Sequence, residues 1–288
     1  MANRDREDTP LQVFDREAVR RHRDRAARGG REAEFLFVEG AARLADRLKD
    51  VSRAFPRALE LGSRGGLLAR DLRDSGGIAW LVASDPAAGF LAGLPGPRLV
   101  AEAEALPFAR GSFDLVVSNL ALHWVNDVPG ALLQLRQALK PDGLLLVSLF
   151  AGETLNELRT CLLEAESEIE NGASPRVAPF ADPRELAGLL QRAGFALPVV
   201  DTDRIEATYS NALGLMRDLR AMGETNAVAA RRRSFTRRAT LLRAAELYQA
   251  RYAGSDGRVI ARFEIATLTA WAPHQSQPKP LRPGSAAA

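Results

Sequence analysis

Short apolar segments alternate with segments of helical spacing through the middle of the chain. The alternation predicts strands at residues 58–61, 78–83, 98–101, 113–118 and 144–150. The last of these is an unbroken apolar run, which is typical of a parallel strand that helices cover on both faces. The pattern therefore predicts an α/β fold with a doubly wound, mostly parallel, Rossmann-like sheet. In such a sheet the ligand lies beyond the carboxyl ends of the strands.

The regions on either side of this alternation are less regular. Apolar side chains recur at helical spacing over residues 14–50, which predicts one long helix there. The sequence as a whole predicts a disordered N-terminus (1–12), a helical extension (13–55), a Rossmann-like core (56–152), a helical elaboration with closing strands of the same domain (153–272), and a tail (273–288).

Cysteine and histidine are too scarce for several kinds of site. The 288 residues include one cysteine and three histidines, which excludes an intramolecular disulfide framework and a cysteine-rich zinc site. We therefore predict no metal. No apolar run reaches the roughly 18 residues of a membrane span, and the charged N-terminus does not resemble a secretory signal. We expect a cytoplasmic bacterial protein without a transmembrane segment.

Arginine is concentrated in two segments, residues 16–31 and residues 231–238, of a chain whose net charge is +3. Each segment is either a solvated helix face or a docking surface for an acidic protein or an anionic membrane, which it would contact peripherally. The net charge is far below that of a strongly basic nucleic-acid-binding domain, so we expect no nucleic-acid partner.

The turn after the first predicted strand limits the choice of cofactor. A nicotinamide-binding turn has glycine at its first, third and sixth positions, and counting from Gly62 the third and sixth residues are Arg64 and Leu67. A phosphate loop needs Gly-Lys-Ser or Gly-Lys-Thr, which the sequence lacks. Glu60, Gly62 and Gly66 instead resemble the first motif of the class I S-adenosylmethionine-dependent methyltransferases, with Arg64 in place of the middle glycine. A plain tight turn is the alternative.

Residues at the ends of the next strands favour the same cofactor. Asp85 closes the second strand, where a carboxylate accepts from ribose hydroxyls, and Glu102 follows the third, where an acid accepts from an adenine amino group. Arg64 either pairs with the methionine carboxylate or crowds the backbone approach that glycine allows. The predicted cofactor-binding residues are Glu60, Gly62, Ser63, Arg64, Gly66, Asp85, Pro86, Glu102, Ala103 and Asn119.

His123 is the candidate catalytic residue. It follows the fourth predicted strand, where a substrate would approach the cofactor. A histidine there acts as a general base or as a hydrogen-bonding group for the substrate. The alternative is that His123 and Trp124 form a wall of the pocket.

Several motifs narrow the resemblance, and most of them lie outside the generic cofactor fold. They are Val-Phe-Asp-Arg (13–16), Leu-His-Trp-Val-Asn-Asp (122–127), Gly-Glu-Thr-Leu (152–155), Met-Gly-Glu-Thr-Asn (222–226) and the segment 275–286. Together they resemble the methyltransferase-fold assembly factors of respiratory complex I and their α-proteobacterial relatives, over residues 13–286. The sequence is also similar, more weakly and mainly in its first half, to the biotin-pathway carrier-protein O-methyltransferases.

That resemblance implies a class I methyltransferase fold, S-adenosyl-L-methionine as cofactor, and a protein substrate in a complex I subunit. It associates the family with complex I assembly and with hydroxylation of a subunit arginine, on the matrix side of mitochondria in eukaryotic relatives. Two alternatives remain open. One is O- or N-methyl transfer to a small molecule or a carrier-bound acyl group, and the other is a non-catalytic assembly chaperone.

Overall fold

One sheet forms the centre of the computed structural model, which describes residues 12–30, 33–72 and 77–278. Within these residues the strand order is β3-β2-β1-β4-β5-β7-β6. The strands β1 to β5 pair in parallel, and β7 runs antiparallel to both β5 and β6. The strands are β1 Arg57–Leu61, β2 Trp80–Asp85, β3 Arg98–Val100, β4 Phe113–Asn119, β5 Leu139–Ala151, β6 Ala196–Tyr209 and β7 Val259–Trp271.

Helices cover both faces of this sheet and extend its later part. They are α1 Arg16–Ala27, α2 Phe35–Lys49, α3 Leu67–Leu72, α4 Ala88–Leu91, α5 Val128–Ala138, α6 Asn156–Glu170, α7 Pro183–Arg192, α8 Ala212–Met222 and α9 Arg238–Tyr252. A short 3-10 turn, Leu122–Trp124, follows β4. The predicted doubly wound α/β fold is confirmed.

The strand β4 shows why the sheet needs two helical layers, because all seven of its residues are buried. Its neighbours Leu115 and Val116 point to opposite faces, as successive strand residues do. Leu115 packs in one cluster with Leu44 of α2, and Val116 packs in another with Leu135 of α5. A third cluster, in which α6, α8 and α9 pack with β7, extends the core away from the Rossmann-like half.

The predicted single helix over residues 14–50 is wrong, because the chain breaks between α1 and α2. The helix α1 starts at an Asp15 cap, whose carboxylate accepts from the Ala18 amide at 3.0 Å, and it ends at Ala27. Gly29 and Gly30 follow, and glycine costs a helix about 1 kcal/mol relative to alanine. The break lets α1 leave the direction of α2, and Arg23 of α1 reaches Asp85 at the end of β2.

The strand β6 is long but hard to recognise in the sequence. It pairs with β7 from Ala196 to Tyr209, apart from an irregularity near Val199. More exposed and less exposed positions alternate along its length, and polar residues occupy about half of them. The sequence therefore lacks the apolar run that would indicate a strand. Residues 1–11 and 279–288, which make up most of the predicted disordered N-terminus and tail, lie outside the described residues, as does Arg31 of the first arginine segment.

Gly40 of α2 holds the helix close to the carboxyl end of β4. A Cβ built on Gly40 would lie 2.5 Å from Oδ1 of Asn119. The Asn119 side chain is fixed, since it donates to the Phe37 carbonyl at 2.7 Å and accepts from the Ser148 hydroxyl at 2.9 Å. The close approach therefore needs glycine at this position.

Replacement of Gly40 by alanine is expected to lower the free energy of unfolding by about 1–3 kcal/mol, because overpacking outweighs the better helix propensity. Chemical denaturation measures the change. Gly188→Ala in α7 is the matched control, since a Cβ there meets nothing within 4 Å. We expect the control to be neutral or to raise stability by up to about 1 kcal/mol. Equal effects of the two substitutions would contradict the packing argument.

Candidate cofactor and substrate site

A buried ion pair lies at the carboxyl end of β2. Arg23 of α1 donates to Asp85 through Nε at 3.2 Å and through Nη2 at 2.6 Å. The two side chains are 3% and 0% exposed. Burial acts to lower the pKa of Arg23, but the charge and hydrogen bonds of Asp85 outweigh it and raise the pKa. Arg23 is therefore a cation, and the carboxyl group predicted to accept from a ribose already has a cationic partner.

Backbone amides complete the environment of Asp85. Its Oδ2 accepts from the Arg64 amide at 3.1 Å, and its Oδ1 accepts from the Ala87 amide at 2.9 Å. The glycine turn is tied to the same strand, because the amides of Gly62 and Ser63 both donate to the Ser84 carbonyl. The turn after β1 and the end of β2 thus form one rigid unit around the carboxylate.

Arg64 adopts a left-handed backbone with φ of 45°, and its side chain is 3% exposed. Its Nη2 donates to the Met222 carbonyl at 2.5 Å, and its Cζ lies 3.4 Å from the centroid of the Phe37 ring. Burial and the nearby charge of Arg23 lower the pKa of Arg64 to about 10. At neutral pH it is still a cation, which stacks on an aromatic ring and donates a hydrogen bond to the end of α8.

Buried polar atoms without partners gather at these strand ends. Among the described residues, Oγ of Ser63, Oε2 of Glu60, and Nε and Nη1 of Arg64 have no hydrogen-bond partner. A buried polar group without a partner is costly, so a cluster of them indicates a place for a polar ligand. Glu60 accepts from the Ala69 amide through its other oxygen, and burial raises its pKa to about 8.

The structure brings most of the predicted cofactor-binding residues to one edge of the sheet, where each of them has different contacts. Gly66 donates to the Ser63 carbonyl, and Pro86 follows Asp85 directly. Glu102 is 35% exposed and pairs with Arg16 of α1 at 3.0 Å. Ala103, next to it, packs against the core. The Asn119 side chain faces α2, as described above.

His123 lies beneath the surface and pairs with a carboxylate from a distant loop. Its Nε2 is 2.9 Å from Oε2 of Glu224, which also accepts from Nε1 of Trp124 at 2.8 Å. The His123 side chain is 1% exposed and its ring centroid is 4.8 Å from that of Phe150. Glu224 thus orients the imidazole, and the two roles considered for His123, base or pocket wall, stay predictions.

A cavity of about 690 Å³ opens beside this cluster. Its inner walls are largely apolar, and its lining includes Trp124, Phe150, Leu155, Leu158, Val177, Phe180, Met216, Leu219 and Phe263. Arginines from the second arginine segment, together with Arg176 and Arg220, also line it. Glu224 contributes a carboxylate to the wall, next to the ion pairs of the cofactor edge.

The loop between α8 and α9 connects this cavity to α1. Nδ1 of His22 is 3.0 Å from the Thr225 carbonyl, and Arg25 donates to the Thr225 hydroxyl at 3.0 Å. Burial, then the charge of Arg25, lower the pKa of His22 to about 4, so this histidine is neutral at pH 7. The helix α1 therefore contacts both the predicted cofactor residue Asp85 and the segment that carries Glu224.

The residue types fit S-adenosyl-L-methionine, although the space for it is closed. Asp85 and Glu102 are acceptors for hydroxyl and amino groups. Nε and Nη1 of Arg64 have no hydrogen-bond partner among the described residues, with Nε 4.0 Å from Oε1 of Glu34, and such donors suit a carboxylate. However, Arg23 already donates to both oxygens of Asp85, on which the predicted ribose contact depends, and a Cβ on Gly62 would lie 2.4 Å from that of Ala121. A ribose at Asp85 would have to share the carboxylate with Arg23 or displace it.

Sequence reasoning did not identify Arg23 or Glu224 as site residues. Arg23 is one of many arginines in α1, and Glu224 lies in a motif that carried the family resemblance without a role. Within the described ranges, no group of three or more His, Cys, Asp or Glu residues is arranged to hold a metal ion. A search of the same residues finds no helix long and apolar enough to cross a membrane.

Comparison with known proteins confirms the resemblance. A model for a methyltransferase domain matches residues 59–147. The mouse (Mus musculus) protein named arginine-hydroxylase NDUFAF5, mitochondrial, is 41% identical over 283 residues, which are 96% of this chain and 82% of the mouse protein. A malonyl-[acyl-carrier protein] O-methyltransferase of Halorhodospira halophila is 36% identical over 268 residues, with 90% and 89% of the two chains covered.

A solved structure shares the fold at low sequence identity. The Haemonchus contortus phosphoethanolamine N-methyltransferase 2 in complex with S-adenosyl-L-methionine matches with a TM-score of 0.50 at 16% identity, over 82% of this chain and 53% of that one. The order of the strands and the position of the glycine turn agree with such a methyltransferase fold. Because its sequence is similar to that of the mouse protein over most of both chains, this chain belongs to the family of the NDUFAF5 arginine hydroxylases, within the class I methyltransferase superfamily.

Proposed function

We propose that the chain binds S-adenosyl-L-methionine and acts in the assembly of respiratory complex I by modifying an arginine side chain of a subunit. The observation that carries the proposal is the group of unpartnered buried polar atoms at the strand ends, together with a large cavity whose lining includes Glu224, a carboxylate whose charge acts on Arg64. The arginine hydroxylase named among the relatives and the motifs shared with complex I assembly factors supply the substrate class.

Different residues of this chain would bind different groups of the cofactor. Asp85 would accept from the ribose hydroxyls, Glu102 from the adenine amino group, and Arg64 would donate to the methionine carboxylate. When bound, the group supplies a sulfonium with an activated methyl carbon. Because the Arg64 charge is buried and incompletely paired, a carboxylate ligand removes a desolvation cost that the empty protein carries.

The cavity takes the substrate side chain, and His123 lies behind its wall, in contact with the lining residues Glu224 and Phe150. The chain's own part is to bind the side chain, exclude solvent and hold it beside the imidazole.

O-methyl transfer to a carrier-bound acyl group is the second candidate, and the Halorhodospira halophila relative favours it. Glu224, a buried carboxylate on the cavity wall, would repel an acyl carboxylate, whereas the arginines that line the same cavity would attract one. A chaperone without catalysis is the third candidate. It predicts that assembly does not depend on Asp85.

Calorimetric titration with S-adenosyl-L-methionine tests the cofactor site. Asp85→Asn is expected to weaken binding by roughly tenfold or more, because a charged acceptor is lost. Arg23→Met is expected to tighten binding by about tenfold, because the ion pair no longer competes for Asp85, while it lowers the melting temperature of the free protein. Asp46→Asn and Arg21→Met, at exposed carboxylate and arginine positions, are the matched controls. Weaker binding by both Arg23→Met and Asp85→Asn would mean that the ion pair supports the site instead of competing for it.

Complementation of a strain that lacks the protein tests the biological role. Wild-type protein is expected to restore assembled complex I, and mass spectrometry of its subunits should find an arginine heavier by one oxygen atom. Asp85→Asn is expected to lose both effects, and Asp46→Asn to keep them. Full assembly with Asp85→Asn and no modified arginine would establish the chaperone instead, and an added methyl group would establish methyl transfer.

A further inference from the structure

One oxygen of the Glu224 carboxylate is unused. Its Oε2 accepts from both His123 and Trp124, whereas its Oε1 is buried with no hydrogen-bond partner among the residues described. The Glu224 side chain is 6% exposed and belongs to the lining of the large cavity. A buried acceptor without a donor is costly, so this oxygen indicates a ligand atom that supplies one.

The Glu224 carboxylate is charged at neutral pH. Burial acts to raise its pKa, but His123, Arg64 and Arg23 outweigh that effect and lower it. An ionised carboxylate accepts hydrogen bonds and cannot donate them. It therefore selects a group with N–H donors, and most strongly one that carries a positive charge.

The walls of the cavity restrict the rest of the ligand. Phe150, Leu158 and Leu219 contribute apolar surface to the same cavity that Glu224 lines. A flexible side chain with an apolar stem and a charged nitrogen head fits this combination, since the stem packs while the head reaches the carboxylate. Arg64 and Arg23 lie close enough to affect Glu224, and Asp85 already pairs with Arg23. A carboxylate ligand on Arg64 would offset part of this positive charge, and Arg176, Arg220 and the arginines at 231–233 also line the cavity.

We propose that Oε1 of Glu224 binds the guanidinium of the substrate arginine and so determines the specificity of the site. The proposal rests on the proposed function for its substrate class and adds the residue that recognises the charge. In this assignment the two oxygens of Glu224 bind two different groups. One oxygen fixes the His123 imidazole, and the other fixes the side chain that lies beside it.

Peptide binding tests the assignment independently of turnover. The probes are a blocked pentapeptide of four glycines around a central arginine and the same peptide with citrulline, which has nearly the same shape without the charge. Ligand-observed NMR titration measures both affinities at saturating S-adenosylhomocysteine. Wild-type protein is expected to prefer arginine to citrulline by roughly tenfold or more. Glu224→Gln, which keeps the size of the side chain, is expected to abolish that preference.

The controls separate recognition from folding. Glu246→Gln, at a carboxylate that is 67% exposed on α9, should keep the arginine preference. Glu224→Gln should still bind S-adenosylhomocysteine saturably, which a general loss of structure would not permit. An unchanged preference in Glu224→Gln would overturn the role of Glu224 and leave the proposed function intact. No preference for arginine in the wild type would overturn both.

Discussion

The ion pair between Arg23 and Asp85 joins the parts of this site that the fold alone would leave separate. Asp85 ends a strand of the parallel sheet, and Arg23 belongs to a helix that precedes the sheet in the sequence. Breaking a buried pair by removing one partner costs about 3–5 kcal/mol, because the other charge is left without compensation. The position of α1 over the strand ends is therefore fixed by charge as well as by packing.

Alternating charge extends from this pair into the cavity. Arg64 lies between the carboxylates of Asp85 and Glu224, and its guanidinium bonds to the end of α8. Each ion is buried and depends on its neighbours, so a change at one end alters the electrostatic field at the other. The cofactor edge and the cavity are in this sense one site. Helices that are absent from a minimal Rossmann-like core build its second half.

Local patterns in the sequence were enough to predict the sheet and the turn after β1. Parallel strands show as bare apolar runs, and Gly62 and Gly66 mark a turn that needs positive φ. The strand β6 was mostly missed, because an edge strand with one polar face shows weak hydrophobicity. The Gly29-Gly30 break was visible in the sequence, yet the helical spacing on both sides of it predicted one helix.

The ionic part of the site could not be predicted in this way. Arg23 and Asp85 are 62 residues apart, and His123 and Glu224 are 101 residues apart. Their pairing depends on how α1 and the loop after α8 pack on the sheet, which no local pattern encodes. Glu60, Asp85 and Asn119 were singled out by position at strand ends, and the structure shows that helices already engage the last two.

A crystal structure with S-adenosyl-L-methionine bound is the most direct test of the central claim, that cofactor and Arg23 compete for one carboxylate. The account predicts that the ribose hydroxyls donate to Asp85 and that the Arg23 guanidinium has moved out of hydrogen-bonding distance, with α1 displaced from its position over the strand ends. Cofactor bound at the glycine turn with the Arg23–Asp85 ion pair intact would contradict it.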